Sequence, residues 1–519
     1  MPISTATAEG VKRGTEEDRR GRARIVLQNI LVTLIALLLF GIGVLMRLRD
    51  LGLPFDRDGY DEGVYWQSLR AMGSGYHLYQ QVFYSQPPFF LLSIFPTYML
   101  FGQTLWAARF GIVLVSLLGL IGAFLLGYVL SGRVGGLAAL LLLVVDPLYL
   151  QQSQTLQAEA PFVAFSLLAV VTAYLWWKHP DGKRGIWYAV LSGTTLSLSI
   201  FCKLFGVAAL VPIGLLFLAH IWRIFQQEPG TRLIAARSLI LGVVFFLLTS
   251  AAMIVPFASS FHQMIAGVIT FHTEAEKVYQ SSRAGNLLQT EQALTSLLAL
   301  AALYGTIVAL LRRDWLVLPL LAWFVTTTIL LWQQVPLFPH HFVAVTAPLI
   351  GLAIMGISPI RPNKQMRSIL YTATTVITLL TILLITVVDW STVQSYYKSE
   401  LQKSTNIAVT KWDVNVERDL AHDTQPNQLV ISDAQFLVGL ANRNTDPLLV
   451  DTSNVRISTG YLTPQQLITE ASQPSVHAVL FYTGRLLHMK NIALFYSWLK
   501  QHFHLVQNYY PGKELWIKI

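Results

Sequence analysis

The sequence predicts a polytopic α-helical membrane protein with a small α/β domain at its C-terminal end. Three observations lead there. Hydrophobic residues fill 54% of the 519 positions and charged residues only 13%, against about 25% charged in soluble domains, and the mean hydropathy is +0.51. Apolar stretches close to the roughly 20 residues that a bilayer core demands recur along the chain. After about Trp390 the composition turns ordinary for a soluble domain. One cysteine, Cys202, excludes an internal disulfide framework and a cysteine-based metal cluster.

In chain order, residues 1–24 form a basic tail, expected on the cytoplasmic side. The apolar run 25–46 is too long for the core of a secretory signal and lacks a small-residue cleavage site, so it reads as an uncleaved first span. Ten further windows follow: 105–130, 134–150, 159–177, 186–201, 204–225, 238–257, 291–311, 315–332, 341–357 and 368–389. Residues 25–389 thus make a transmembrane unit of about eleven spans, with residues 47–103 as its first loop. A smaller loop is expected at about 258–290. Beyond 390, short β-rich runs at 429–432, 448–450, 479–482 and 515–519 alternate with helix-like stretches at 464–471 and 491–502, the pattern of a small α/β domain.

The segment 89–101 is apolar but short, and it follows Pro87-Pro88. The positive-inside rule decides its place. If it does not cross, eighteen Lys and Arg share one side: the tail residues Lys12 to Arg24, then Arg133, Lys178 to Arg184, Arg223 to Arg237, Arg312-Arg313 and Arg361 to Arg367. The other side receives eight, spread over longer loops. If it crossed, the later loops would contradict the tail. It therefore reads as an interfacial helix buried against protein, with the N-terminus cytoplasmic and the C-terminal domain outside a plasma (inner) membrane. The net charge of +9 is then a topology signal rather than a nucleic-acid footprint. Without a phosphate-binding glycine loop or an HExxH helix, a nucleotide-driven pump or a zinc protease has no support.

Acids are expensive at membrane depth, so their positions inform. The first loop carries four carboxylates in seven positions, Asp56, Asp58, Asp61 and Glu62, ahead of the aromatic Tyr65-Trp66. Glu159 opens the fourth span, and Lys203 stands between two apolar spans with no loop to solvate it. All meet the same membrane face under this topology. A carboxylate base can activate a hydroxyl, and a fixed lysine can hold a phosphate leaving group. Each also has a plainer reading: Asp61-Glu62 as a helix N-terminus, Lys203 as a snorkelling side chain, Glu159 as a cap. Asp146, before Pro147, reads as a buried structural acid.

The order of these elements resembles the bacterial relatives of protein O-mannosyltransferases and the aminoarabinose transferase of lipid A, enzymes of GT-C fold. Carrying that resemblance are Asp61-Glu62 with Tyr65, Gln86-Pro87-Pro88, Phe101-Gly102, Arg109 at the next span, Glu159 before Pro161, and Lys203. It covers roughly residues 25–360 and implies transfer of a sugar from a polyprenyl-phosphate donor to a glycan, lipid or protein acceptor of the cell envelope. It implies Asp61 as general base, Glu62 and Glu159 as shapers of the catalytic site, and Lys203, Gln86 and Arg109 at the donor phosphate. Tyr65, His340 and His341 are expected at the acceptor or the interface. Gln86 departs from the pattern, because many members carry lysine there.

No cofactor is required by this reading. A divalent cation held by the first-loop carboxylates stays open, whereas His340 and His341 alone, adjacent on a helix, face different ways. Two alternatives are weighed against it. A secondary transporter predicts internal symmetry and helices broken near the midplane; no repeat is found, and the acids crowd at one face. A non-catalytic protein that binds lipid-linked sugar has no need of Asp61, Glu62, Glu159 and Lys203 together.

Overall fold

The computed structural model describes residues 6–54, 59–226, 232–279, 283–357 and 365–519. Among them, seven helices are long and apolar enough to cross a membrane: Val26–Leu48, Leu105–Val145, Glu159–Lys178, Gly182–Cys202, Leu204–Phe225, Ala236–Val278 and Tyr371–Thr405. The windows at 315–332 and 341–357 fall on the shorter helices Val317–Gln333 and Pro339–Ile354.

Two windows share one long element. Leu105–Val145 is broken at Ser131 and Gly132, where Gly132 takes φ 70°, a conformation that glycine adopts without steric cost. The arms fold back on each other so closely that a methyl on Gly127 would stand 2.2 Å from the Gly135 carbonyl oxygen. A third window, 291–311, does not form one rod. Helices Gly285–Leu294 and Leu297–Leu311 meet at 67° because Ser296 starts the second, its hydroxyl accepting the Ala299 N–H. The expected loop at 258–290 is also corrected: it is largely helical, with a π-helical turn at Ala266–Thr270 between helices Phe261–Ile265 and Phe271–Val278.

The Phe89–Leu100 helix has 12 residues and buries Phe90, Leu91, Ile94 and Tyr98. Ile94 packs so tightly on the Leu105–Val145 helix that a methyl on Gly111 would stand 2.8 Å from its Cβ. That helix carries one side of the first loop. On the other side the end of Val26–Leu48 is capped from a distance: the Gln154 amide donates to the carbonyls of Met46, Arg47 and Arg49 at 3.2, 3.2 and 2.9 Å. The Tyr397 hydroxyl donates to Met46 as well. These bonds satisfy carbonyls that a helix terminus otherwise leaves unpaired. Asp146 is buried as expected and accepts the Tyr149 N–H at 2.6 Å, starting the Pro147–Gln154 helix.

The C-terminal domain is a five-stranded sheet in the order β2-β1-β3-β5-β4, with β1 Leu429–Ser432, β2 Asn444–Thr445, β3 Val476–Phe481, β4 Phe503–Tyr510 and β5 Lys513–Lys518. Strands β1, β2 and β3 run parallel, and β5 and β4 are antiparallel. The run at 448–450 is no strand: Asp446 turns the chain into a 3-10 turn at Pro447–Leu449 by accepting the Leu448 N–H. The Gln365–Thr405 helix passes without a break through residue 390, where the composition changes.

The sheet domain docks on the first loop through the Tyr60–Gly73 helix. Gln67 donates to the Gln435 and Arg443 carbonyls and accepts the Thr445 N–H. Arg70 donates to Asn444 and Asn442. Gly63 admits the backbone of Phe436, and Gly439 admits the ring of Trp66.

Candidate active site

A cavity of about 400 Å³ lies where these parts meet. Asp61, Tyr65, Gln86, Glu159, Lys203, His340 and His341 all line it. Seven of the nine residues singled out in the sequence are thus brought together across almost 300 positions of chain.

Asp61 stands in the first turn of the Tyr60–Gly73 helix, whose N-cap, Gly59, offers no side chain. Burial pushes its carboxyl above the ordinary range; the nearby His340 and Lys203 pull it back, and Glu159 adds to the rise. Tyr65 lies one turn on, edge-to-face with Phe90 at 5.0 Å. Gln86 reaches the cavity on a stretch held by the Tyr79 hydroxyl, which donates to the Gln86 carbonyl at 2.7 Å.

Glu159 is the first residue of its helix. Lys203 is the extended residue that ends the Gly182–Cys202 helix before a 3-10 turn at Leu204–Ala209. Its ammonium donates to Glu159 Oε1. His340 Nε2 lies 3.5 Å and His341 Nε2 3.9 Å from the same oxygen. One carboxylate therefore gathers three nitrogen bases, and the lysine sits at the mouth of a helix break rather than snorkelling along a span.

Two of the expected site residues face elsewhere. Glu62 and Arg109 make a buried two-point ion pair, Nε to Oε1 at 2.8 Å and Nη2 to Oε2 at 2.6 Å. Glu62 Oε1 also accepts the Leu156 N–H at 2.8 Å. Arg109 donates in addition to the carbonyls of Leu51 and Leu53. The assignment of Arg109 to the donor phosphate is therefore corrected, because its guanidinium is spent on Glu62 and the loop backbone. Glu62 ties the first loop to Arg109 and the Leu156 N–H and does not line the cavity. With Glu62 so engaged and Asp56 and Asp58 outside the described residues, a first-loop cation site finds no ligand set among the described residues.

Glu159, His340 and His341 are spaced for a metal, with ligand atoms all within 4.8 Å of one another. Two of the three are otherwise engaged. Lys203 already holds Glu159 Oε1. The Phe338 N–H points at His341 Nδ1 at 3.4 Å, which makes Nδ1 the acceptor and leaves the proton of the neutral ring on Nε2. A ligating Nε2 needs the opposite tautomer.

Several cavity residues carried no sequence signal. His272 and Glu276 come from the helix that replaced the expected loop, and the His272 ring bonds the Ser85 carbonyl through Nε2 at 2.8 Å. Gln157 lines the cavity with its Oε1 buried and unbonded; its place two residues before Glu159 was the available hint. Asp451, Ser453 and Val455 belong to the C-terminal domain.

The same architecture occurs in ArnT from Cupriavidus metallidurans bound to undecaprenyl phosphate, at 14% identity and a TM-score of 0.59 over 95% of this chain and 98% of that one. It occurs too in the Archaeoglobus fulgidus oligosaccharyltransferase in complex with Zn and sulfate, at 15% identity and 0.54 over 93% of this chain and 73% of that one. The chain shares the membrane-embedded GT-C fold of these structures. Residues 75–272, less than half of the chain, match the family described as dolichyl-phosphate-mannose-protein mannosyltransferase. That segment holds Gln86, Glu159, Lys203 and His272 but neither Asp61 nor the C-terminal domain. No curated protein matches the chain.

Proposed function

We propose that the protein moves a sugar from a polyprenyl-phosphate donor to an acceptor hydroxyl at the outer face of the plasma membrane. One observation carries this reading: a single cavity holds a carboxylate of raised proton affinity, Asp61, and a buried cation, Lys203. Asp61 takes the proton of the acceptor hydroxyl as its oxygen bonds to the anomeric carbon. The bond from that carbon to the phosphate oxygen breaks, and the lipid phosphate leaves toward Lys203 and Gln86. Such a leaving group needs little protonation, which suits one dominant base. Tyr65, His340 and His341 flank the acceptor, and Glu159 holds Lys203 in place.

The ArnT structure contains undecaprenyl phosphate, and AglB of A. fulgidus, with a TM-score of 0.50, was solved with a dolichol-phosphate; both support a lipid-phosphate donor. The charge distribution supports a cytoplasmic N-terminus and an extracytoplasmic C-terminal domain.

The test is transfer by the purified chain from radiolabelled polyprenyl-phosphate sugars, mannose among them, to membrane extract, with the labelled product identified. Label should move to a glycan, lipid or protein in an Asp61-dependent manner. Label that stays on every donor tried, while undecaprenyl phosphate binds, would leave a lipid-binding protein instead.

A further inference from the structure

The C-terminal domain reaches the cavity at one loop, and that loop grips the residue next to Asp61. The Tyr60 hydroxyl donates to Asp451 Oδ1 at 3.0 Å and accepts the Thr452 N–H at 2.5 Å. Across the Tyr60 ring lies the Arg485 guanidinium, 4.1 Å from its centroid. Tyr60 thus has a domain of some hundred residues closed around its ring and its hydroxyl.

The gripping loop is itself rigid. Asp451 Oδ1 also accepts the Ser453 N–H at 2.8 Å, turning the chain into the Asn454–Ser458 helix. Thr452 donates to the Ser432 carbonyl at the end of β1 and accepts from Gln435. Arg456 donates to the carbonyls of Asp451 and Leu448 at 2.6 and 2.7 Å, and its guanidinium lies 3.7 Å over the Phe83 ring of the first loop. Burial lowers the Arg456 pKa to about 10, so it stays charged at neutral pH. The loop is thus tied to itself, to the end of β1 and to the first loop.

On the partner side the first turn is held by Glu62, through Arg109 and the Leu156 N–H, and by Tyr60. The Tyr60–Gly73 helix starts at Gly59, which has no side chain to cap the free N–H groups of the first turn. With the first turn uncapped, Tyr60 is its tie to the C-terminal domain, as Glu62 is its tie to Arg109.

We propose that Asp451 is a positioning residue: through the Tyr60 hydroxyl it fixes the first turn that carries Asp61, so that the C-terminal domain completes the catalytic pocket. This rests on the reading of Asp61 as base for its catalytic consequence, but the latch itself is a statement about the fold.

Hydrogen exchange of the purified full chain, followed in peptides covering residues 59–66, tests the latch without any substrate. Tyr60→Phe and Asp451→Ala should each speed exchange there by about 3- to 10-fold, the effect of one part-buried hydrogen bond. The double variant should be no faster than Tyr60→Phe alone, because that substitution already removes the bond that Asp451 accepts. Asp451→Asn should stay near wild type, since its amide oxygen still accepts. Additive effects of the two singles, or no change in Tyr60→Phe, would overturn the proposal. In the transfer assay, Asp451→Ala should lower kcat while undecaprenyl phosphate binds within about twofold of wild type. If Asp451→Asn were as inactive as Asp451→Ala with exchange unchanged, Asp451 would be a reacting group and not a positioning one. Failure of wild-type transfer would strike the functional reading alone and leave the exchange cycle intact.

Discussion

Glu62 and Arg109 form a two-point ion pair with side chains 4% and 0% exposed, and that pair settles the direction of the carboxylate beside it. Adjacent residues on a helix point about 100° apart. With Glu62 drawn to Arg109 and the Leu156 N–H, Asp61 is left to face the cavity.

Breaking the pair should cost stability before it costs binding. Arg109→Ala leaves a buried carboxylate without its partner, a loss of about 3–5 kcal/mol. Thermal unfolding of the detergent-solubilised variant should come well below wild type, with undecaprenyl phosphate affinity retained by the folded fraction. Replacing both residues by methionine should be milder than either single loss. A variant that melts like wild type but no longer binds the lipid would return Arg109 to the donor site.

Asp61→Asn keeps shape and hydrogen bonding while removing basicity. Turnover should fall about 10²- to 10⁴-fold, with donor affinity little changed. The sign of the pH effect follows from the raised carboxyl: the base works only when deprotonated, so activity in wild type is lost as pH falls. Because burial raises the Asp61 pKa, this acid limb should lie above the ordinary carboxylate range of about 4. A limb at or below that range, or near-normal turnover in Asp61→Asn with Glu159→Gln inactive, would move the base elsewhere.

Lys203→Ala removes the cation proposed for the leaving phosphate. A charge-assisted contact is worth about 1.5–3 kcal/mol, so the dissociation constant for undecaprenyl phosphate should rise about 10- to 100-fold. Binding isotherms on purified protein measure it. Unchanged affinity would confine Lys203 to its bond with Glu159.

Gly63 marks the docking of the two domains. A methyl there would lie 2.5 Å from the Phe436 backbone nitrogen, and overpacking of this kind costs about 1–3 kcal/mol. Gly63→Ala should loosen the C-terminal domain and speed proteolytic release near residues 424–428. Gly41→Ala, where a methyl meets nothing within 4 Å, is the control. Equal cleavage of the two variants would mean that the domain is held independently of this contact.

Orientation is read from reporters. A fusion after Arg313 should report the cytoplasm and one after Ile519 the outside. An outside signal at Arg313 would undo the arrangement in which cavity and C-terminal domain share the outer face.

The sequence by itself determined the helices and the chemistry that stands out against lipid. Windows of apolar residues fall on helices because backbone groups in a bilayer have no other way to be satisfied. Glu159 and Lys203 were visible for the same reason: a charge among apolar spans is costly unless something pairs with it, and here they pair with each other. Strands β1, β3 and β5 were marked by buried apolar runs. Strand β4, an edge strand exposed at most of its positions, and the two-residue β2 carried no such mark.

Only the tertiary structure decided where each polar group faces. Asp61 and Glu62 look alike in sequence, and the position of Arg109, 47 residues on, separates their roles. His340 and His341 read as a pair facing apart, yet the 3-10 turn at Pro339–Phe342 brings both toward Glu159. Asp451 lies 391 residues from Tyr60 in an ordinary Asp-Thr-Ser turn. Local propensity and hydropathy act over a few turns of chain. A hydrogen bond across that distance exists only once the sheet has docked on the helix that carries Asp61.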